Sequence, residues 1–330
     1  MTTHTDLSDT YERVEGLHLM PGWARKQRTI WPVPEPKLRP ALWRFAEARK
    51  ALDEFGDSVT TDSPHSAAVM AERRNLIMVN PADGNLYATS RNLVAAYQMI
   101  LPGERARTHR HSPSALRVAL DIAPGTYTVV DGTRIGMADR DVVLTPNWRW
   151  HGHGNEGSRA SYWIDFLDVP LVQHLESMFI EWYPGGFQPI ERQDDSSPLR
   201  LRPGSLLGPN ASQVVDIGDG HIPSIGLQLH KMQRSEGSQR AKSTENNIYV
   251  VLRGSVRFAI GGPAIDAPID DVLTFGDLLT VPCWHEHSWE ALDDALLLRV
   301  SDEPVLRALG FLRGADWELP ATLSGSRAEG

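Results

Sequence analysis

Two pairs of histidines in the first half of the chain have the spacing of a metal site. His109-Arg-His111 and His151-Gly-His153 each place two imidazoles two residues apart. In a β-strand, residues i and i+2 point to the same face, so each pair can present both rings to one cavity. Imidazole suits Fe, Zn, Cu and Ni, so four converging rings favour a transition metal without fixing its identity. One such pair is weak support, because many are exposed strand positions, but two pairs strengthen the prediction.

A related segment recurs in the second half of the chain. Pro146-Asn-Trp-Arg-Trp-His-Gly-His153 resembles Pro282-Cys-Trp-His-Glu-His287, and both histidines of the pair shift by 134 positions. Two copies of one small β-barrel explain this repeat economically. Chance similarity between two tryptophan-rich turns is the alternative.

The elements that must position these histidines are short strands. The predicted strands are 75–80, 93–101, 116–120, 126–130, 142–145 and 161–167, then 224–229, 248–252, 256–260, 278–281 and 295–300. Turn residues such as Pro102-Gly103 and Asp131-Gly132 separate several of them, a texture typical of a sandwich or barrel. Upstream, helices are predicted over about 8–27 and 40–55, joined by an extended proline-rich connector that starts at Trp31.

Composition narrows the class of protein. The 330 residues carry 33 Lys+Arg against 42 Asp+Glu, and 41% are hydrophobic, which is enough for a substantial core and, by length, two domains. A formal charge of -9 without a basic stretch argues against binding to nucleic acid or to an anionic membrane surface. Cys283 is the single cysteine, which fits a reducing compartment. Because the N-terminus lacks signal-peptide features and no apolar run approaches the ~20 residues of a membrane span, we expect a soluble cytoplasmic protein.

The residues around the histidines resemble a known family. Gly103 followed at six residues by His109-x-His111, with the later Pro146…His151-x3-Asn155, is similar to the two cupin motifs. The string from Thr108 to Arg117, with Thr145 to Asn155 and Trp163-Ile-Asp-Phe-Leu-Asp168, resembles more narrowly the gentisate 1,2-dioxygenase family of bicupins. That family includes salicylate and 1-hydroxy-2-naphthoate dioxygenases. The resemblance covers about residues 10 to 315.

The resemblance implies an all-β bicupin fold with two double-stranded β-helix (jelly-roll) barrels and an N-terminal helical segment. The expected parts are an N-terminal helical and extended segment (1–73), an N-terminal cupin with the metal site (74–187), a connector (188–213), a degenerate C-terminal cupin (214–315) and a tail (316–330). The family also suggests a homotetramer.

In such enzymes three histidines hold a mononuclear Fe(II), and the matching residues here are His109, His111 and His151. Many cupins add a glutamate ligand shortly after H-x-H, but this stretch reads Ser-Pro-Ser-Ala-Leu-Arg. A neutral triad leaves the iron its full positive charge, which favours an anionic bidentate ligand such as an ortho-hydroxybenzoate. The resemblance implies that the substrate chelates iron through its carboxylate and ring hydroxyl, and that the ring opens between the carbons bearing those groups with both oxygen atoms incorporated.

Further residues are expected near the pocket. His153 could hydrogen-bond the substrate or oxygen and move a proton, or it could be a structural strand histidine. Arg117 could clamp the substrate carboxylate, or it could pair with an internal acid such as Asp165. Weaker matches to the family's pocket are Arg73, Gln98 and Asp165, the last as a catalytic candidate. Trp148 and Trp150 could wall an aromatic substrate or simply belong to the core.

The second copy departs from the pattern. A shift of 132 positions from His109 and His111 reaches Ala241 and Ser243, so the first ligand pair is missing. We therefore predict that the C-terminal cupin holds no metal and has a structural or oligomeric role.

Two departures in the first copy bear on the substrate. Pro113 stands where the family usually has glutamine or a similar polar residue, and Val94 stands where a bulky aromatic is common. A smaller Val94 could widen the pocket, so a salicylate with another 5-substituent rivals gentisate.

The predicted function is an Fe(II)-dependent ring-cleaving dioxygenase for gentisate or a closely related salicylate in aromatic-compound degradation. Salicylate, 5-nitrosalicylate or 1-hydroxy-2-naphthoate could be the substrate instead. Two hypotheses from other classes remain open: a cupin isomerase or hydrolase with Zn, Mn or Ni at the same histidines, and a non-catalytic bicupin that binds an aromatic acid. No helix-turn-helix or basic arm suggests a DNA-binding regulator.

Overall fold

The protein is described by a computed structural model that covers residues 7–23, 30–56, 74–209, 212–218, 220–261 and 268–314. Short β-strands dominate these ranges, which confirms the predicted all-β class. The helices are α1 (Ser8–Gly16), α2 (Phe45–Phe55), α3 (Val169–His174), α4 (Pro203–Leu206) and α5 (Glu303–Ala308). Within these ranges, none of the helices has the length and apolar character needed to cross a membrane.

The first barrel consists of two six-stranded sheets. Its strands are β2 (Arg74–Ile77), β3 (Val94–Ile100), β4 (Arg105–His111), β5 (Ala115–Asp121), β6 (Thr126–Val130), β7 (Thr133–Gly136), β8 (Val142–Thr145), β9 (His151–Asn155), β10 (Ser161–Leu167), β11 (Ile180–Trp182), β12 (Arg192–Gln193) and β13 (Arg200–Leu201). One sheet has the order β13-β8-β5-β10-β3-β2 and the other β11-β4-β9-β6-β7-β12. The chain alternates between them from β3 to β6 and from β7 to β10, which is the winding of a double-stranded β-helix.

The second barrel repeats this plan with fewer strands. Its strands are β1 (Ala41–Trp43), β14 (Gln213–Ile217), β15 (Gly226–Met232), β16 (Asn247–Arg253), β17 (Val256–Gly261), β18 (Ile269–Leu273), β19 (Leu278–Val281), β20 (Glu286–Ala291) and β21 (Ala295–Ser301). The larger sheet has the order β1-β19-β16-β21-β15-β14 and the smaller β18-β17-β20. The repeat extends to the turns, since Trp148 and Trp284 both adopt left-handed backbone angles, with φ of 62° and 63°.

One apolar core joins the barrels. Leu116 and Val118 of β5 lie in the same buried cluster as Ile248 of β16. Side chains alternate along a strand. Arg117, between Leu116 and Val118, and Tyr249, next to Ile248, therefore point away from this shared core and into their own barrels. The packing of the two sheets therefore decides which residues of each strand face a barrel interior.

The N-terminal helices are shorter than predicted. The predicted helix 8–27 ends at Gly16, and residues 24–29 lie outside the described ranges. The predicted helix 40–55 begins only at Phe45, and Ala41–Trp43 instead form β1, which pairs with β19 of the second barrel. The carboxylate of Asp277 accepts the backbone N–H of Phe45 at 3.0 Å, so a residue distant in sequence fixes where α2 starts.

The predicted connector 188–213 lies against the first barrel. Its strand β12 pairs with β7 in parallel, and its strand β13 pairs with β8 in antiparallel fashion. Arg200 forms an ion pair with the buried Asp141 at 2.5 Å. The proposed domain boundaries stay a prediction, and the predicted tail 316–330 lies outside the described residues.

The alternation of histidine and glycine in β9 has a steric reason. A Cβ added to Gly154 would lie 2.5 Å from the Cζ atom of Tyr127. That ring is buried and lies 3.9 Å below the Arg134 guanidinium, so it has little freedom to move. The Tyr127 ring, from the neighbouring strand β6, therefore lies close to Gly154 and leaves no room there for a larger side chain.

We predict that Gly154→Ala lowers the free energy of unfolding by about 1–3 kcal/mol through overpacking. Urea unfolding measures this change. Gly204→Ala is the control, because a Cβ there has nothing within 4 Å, and we expect a change within about 0.5 kcal/mol. Equal unfolding midpoints for the two variants would contradict the close contact between Gly154 and the Tyr127 ring.

Candidate metal centre

Three of the four predicted histidines come together inside the first barrel. His109 and His111 lie on β4, and His151 lies on the neighbouring β9, directly opposite His109. The ring centroids of His109 and His151 are 4.4 Å apart, and those of His111 and His151 are 4.8 Å apart. Their candidate ligand nitrogens all lie within 4.8 Å of one another. Within the described part of the chain, this is the one group of histidine, cysteine or carboxylate side chains with such a geometry.

Backbone carbonyls fix the orientation of all three rings. Because a carbonyl oxygen can only accept, each Nδ1 carries the proton and each Nε2 keeps its lone pair for a metal. The bonds run from His109 to the carbonyl of Arg107 (3.0 Å), from His111 to that of Pro113 (2.7 Å) and from His151 to that of Arg149 (2.9 Å). Such outer bonds are typical of histidines that ligate metals.

The electrostatics keep the site ready for a cation. Burial lowers the pKa of His151 well below its usual value, and the nearby His109, His111 and Arg117 lower it further. The imidazole is therefore neutral at physiological pH, as a metal ligand must be. The residues present fit a transition metal bound by three neutral nitrogens, with no carboxylate in the group.

A cavity of about 380 Å³ opens beside the three histidines. Its walls combine apolar side chains with a few polar groups, which is typical of small-molecule sites. Besides the histidines, its lining includes Asn75, Ile77, Tyr87, Val94, Ala96, Gln98, Arg107, Pro113, Ala115, Arg117, Asp165, Leu167, Gln173, Met178, Ile180 and Trp182.

Four neighbouring strands contribute to a buried polar cluster beside this cavity. Arg117 on β5 lies with its Nε 3.2 Å from Oδ1 of Asp165 on β10. Its Nη1 also donates to Oγ1 of Thr145 at 2.9 Å. Gln98 on β3 donates through Nε2 to Oδ2 of Asp165. The ion pair that the sequence left open as an alternative is thus present, and both of its members line the cavity.

His153 lies behind the metal ligands. Its ring centroid is 6.0 Å from that of His151, and its Nδ1 is 3.1 Å from Oγ1 of Thr128. The side chain is buried and does not line the cavity. This position favours the structural alternative for His153 over direct contact with a substrate.

The two tryptophans expected to wall the substrate lie elsewhere. Trp148 is 41% exposed and packs on Phe179, and Trp150 packs on Tyr183, so neither lines the cavity. Their role as a substrate wall stays a prediction, and it is not supported by the lining of this cavity. Arg73, predicted near the pocket, lies outside the described residues.

Sequence reasoning missed the two aromatic residues that line the cavity, Trp182 and Tyr87. Trp182 on β11 has its ring centroid 5.2 Å from that of His109. Gln173, which hydrogen-bonds to Tyr87, was also missed. The pairing of β11 with β4 places Trp182 opposite His109, and nothing local in the sequence indicates this pairing.

The second barrel has lost the equivalent site. The backbone N–H of Trp284 donates to the carbonyl of Ser243, as that of Trp148 donates to the carbonyl of His111, so Ser243 occupies the position of a ligand. Ala241 pairs with His287 as His109 pairs with His151, so in the folded barrel His287, rather than His285, takes the place of the third ligand. The Nε2 atom of His287 lies 2.8 Å from the hydroxyl of Tyr249. These contacts agree with the expected degeneracy.

Comparisons with known proteins identify the family of this chain. Residues 96–167 match the family model of the cupin domain. Gentisate 1,2 dioxygenase 1 of Aquipseudomonas alcaligenes is 31% identical over 92% of this chain and 94% of its own length. The 5-aminosalicylate 1,2-dioxygenase of Comamonas sp is 28% identical, with 96% and 92% covered. The salicylate 1,2-dioxygenase of Pseudaminobacter salicylatoxidans superposes with a TM-score of 0.80 at 22% identity, over 95% of this chain and 98% of that one, which shows the same bicupin fold. The chain therefore belongs to the gentisate 1,2-dioxygenase family.

Proposed function

We propose that this protein is an Fe(II)-dependent dioxygenase that opens the ring of gentisate or of a closely related 5-substituted salicylate. The bond cleaved lies between the carbons that carry the carboxyl and hydroxyl groups, and both oxygen atoms enter the product. The observation that carries this proposal is the all-histidine cluster, which opens directly into a cavity lined by a buried arginine. The relatives named for gentisate and 5-aminosalicylate support the substrate class.

His109, His111 and His151 would hold the iron through their Nε2 atoms. When bound, iron supplies a site where an anionic substrate and oxygen meet and exchange electrons. Because the three ligands are neutral, the protein does not offset the charge of the metal. An ortho-hydroxybenzoate, with its carboxylate beside a phenolic oxygen, complements such a centre better than a neutral ring does.

Arg117 orients the carboxylate of the substrate in this proposal. Its guanidinium is almost fully buried and is held by Asp165 and Thr145, so its position is preorganised. Because Asp165 compensates its charge, Arg117 acts more through directed hydrogen bonds than through net attraction. Gln98 holds the other oxygen of Asp165 and thereby keeps the acid turned toward the arginine.

The size and walls of the cavity suit one substituted ring. Its volume of about 380 Å³ lies near the lower end of the ~300–1,000 Å³ typical of small-molecule sites. Val94 and Ala96 form small apolar walls, and Trp182 offers an aromatic face next to His109. The short side chain of Val94 leaves room for a group on the ring, which supports 5-substituted salicylates as alternatives to gentisate.

We further propose a cytoplasmic homotetramer. The family resemblance suggests the tetramer, and the apolar side chains of Leu175 and Phe179, each 62% exposed, give a surface that an oligomer would cover. The single cysteine fits a reducing compartment.

Oxygen uptake tests the reaction. Protein loaded with Fe(II) under anaerobic conditions should consume oxygen rapidly when gentisate or a 5-substituted salicylate is added, with one O2 used per ring opened. Benzoate, which lacks the hydroxyl, is the control and should give no uptake. Uptake with a salicylate but not with gentisate would keep the reaction and change the substrate. No oxygen uptake with gentisate, salicylate or 5-aminosalicylate would contradict the proposal and favour an isomerase or a binding protein.

The ligand assignment is tested by His151→Ala. Loss of one of three ligands should remove bound iron and oxygen uptake together, because the remaining pair cannot complete the site. Metal content after dialysis and oxygen uptake are the measurements. His285→Ala, in the second barrel, is the matched control and should keep both. Iron at wild-type stoichiometry in the His151 variant would rule out this ligand.

The role of Arg117 is tested by Arg117→Gln combined with Asp165→Asn. The second change avoids a buried carboxylate without a counter-charge, which alone would cost about 3–5 kcal/mol of stability. We expect unchanged iron content and a fall of about 100-fold in kcat/KM, because the substrate loses its orientation. Arg159→Gln, at an exposed ion pair, should leave kcat/KM unchanged. An unaltered kcat/KM in the double variant would remove Arg117 from substrate binding.

A further inference from the structure

One peptide group connects a metal ligand to a buried carboxylate. The Nδ1–H of His111 donates to the carbonyl oxygen of Pro113 at 2.7 Å. The N–H of Ser114 donates to Oδ1 of Asp168 at 2.8 Å. The carbonyl of Pro113 and the N–H of Ser114 belong to the same peptide group. The two hydrogen bonds therefore form a chain from Asp168 through this peptide to His111.

Asp168 is well placed to polarise that peptide. It follows β10, is 4% exposed, and its Oδ2 accepts a hydrogen bond from Oγ of Ser224 in the second barrel's part of the chain. Burial raises the pKa of its carboxyl, whereas the bonds from Ser224 and Ser114 act in the opposite direction. A carboxylate that accepts an N–H makes the carbonyl at the other end of the peptide a better acceptor, and low local polarity strengthens this effect.

For the other two ligands, the N–H of the corresponding peptide group donates to a different kind of acceptor. For His151, the peptide is Arg149–Trp150, and the N–H of Trp150 donates to Oδ1 of Asp131 at 3.0 Å. Asp131 is exposed, however, and the guanidinium of Arg149 neutralises it at 2.8 Å. For His109, the peptide N–H belongs to Thr108 and donates to a neutral carbonyl, that of Gly186. His111 is thus the ligand backed by a buried carboxylate whose partners are hydrogen-bond donors rather than a cation.

The internal repeat supplies a natural comparison. Asp302 lies 134 positions after Asp168 and accepts the N–H of Asn246, which lies 132 positions after Ser114, at 2.8 Å. Asp302 also reaches across to the other barrel, where it accepts from Nδ2 of Asn92 at 2.7 Å. In this copy Ser243 stands in place of the histidine, so the same carboxylate has no metal ligand to act on.

We propose that Asp168 is a positioning residue of the metal centre: through the Pro113–Ser114 peptide it orients the imidazole of His111 and strengthens it as a metal ligand. Asp302 is the structural counterpart of Asp168. It joins the two barrels but has no metal-ligating histidine to orient. The proposal rests on the metal centre described above but not on the identity of the aromatic substrate.

The test compares three isosteric variants of the full chain: Asp168→Asn, Asp131→Asn and Asp302→Asn. Asparagine can still accept the backbone N–H, so each change removes the charge with little loss of shape. Cobalt(II) affinity, measured by competition with a chelator, is the main readout. The Nδ1–H signals of the bound histidines in the paramagnetic proton spectrum are the second, and urea unfolding of the metal-free protein is the third.

We expect Asp168→Asn to weaken cobalt binding about 10-fold and to shift one histidine N–H signal, with the unfolding midpoint little changed. Asp131→Asn should stay within about 3-fold of the wild type, because Arg149 already neutralises that acid. Asp302→Asn should lower the unfolding midpoint but keep the wild-type cobalt affinity, because its new amide group faces donors in Asn246 and Asn92.

Two results would overturn the proposal. One is wild-type cobalt affinity with unshifted N–H signals in Asp168→Asn. The other is equal weakening in the Asp168 and Asp302 variants, which would reveal an indirect effect of barrel packing. If Asp168→Asn does not fold, Ser224→Ala decides: it cuts the contact between the barrels but keeps the bond to Ser114, so cobalt affinity should hold, and weakened affinity would contradict the proposal. None of these measurements involves an aromatic substrate or oxygen. The proposed role of Asp168 can therefore be disproved without disproving the proposed reaction, and the reverse.

Discussion

The metal centre depends on the pairing of β4 with β9. This pairing sets His109 opposite His151, and the two-residue period of β4 adds His111 on the same face. A slip of one residue in either strand would turn the imidazoles to the outer surface and bring neighbouring side chains into the barrel. The close packing of Gly154 on Tyr127 holds β9 in place from its other side.

Burial of three neutral imidazoles then requires partners for their second nitrogens. Backbone carbonyls meet this need within two residues of each ligand, so the rings are oriented by the same segments that carry or follow them. The site has no carboxylate of its own, and the acids nearby are either paired, as Asp165 is with Arg117, or separated from the ligands by a peptide group. The charge of a bound metal is therefore left for an anionic ligand to offset.

The second barrel matters to the first although it has lost the ligand positions. Its larger sheet covers an apolar face of the first barrel, which would otherwise be exposed to water. Its part of the chain also supplies Ser224, whose hydroxyl donates a hydrogen bond to Oδ2 of Asp168. Meanwhile its interior is filled by the contact of Tyr249 with His287. Loss of the first ligand pair in one copy thus left the shared core and the cross-barrel contacts in place.

The sequence by itself determined the strand-rich class, the repeat and the loss of the first ligand pair in the second copy, because each of these follows from local spacing and side-chain alternation. Spacing also marked the two histidine pairs, and the family resemblance selected three of the four histidines as ligands. Only the tertiary structure decided which groups from distant segments meet. It brought Trp182 to the wall of the cavity, set the start of α2 at a carboxylate more than two hundred residues away, and linked Asp168 to His111 through one peptide group. The physical reason is that strand order and sheet packing bring together residues far apart in the chain, and no local pattern of residue types encodes those distances.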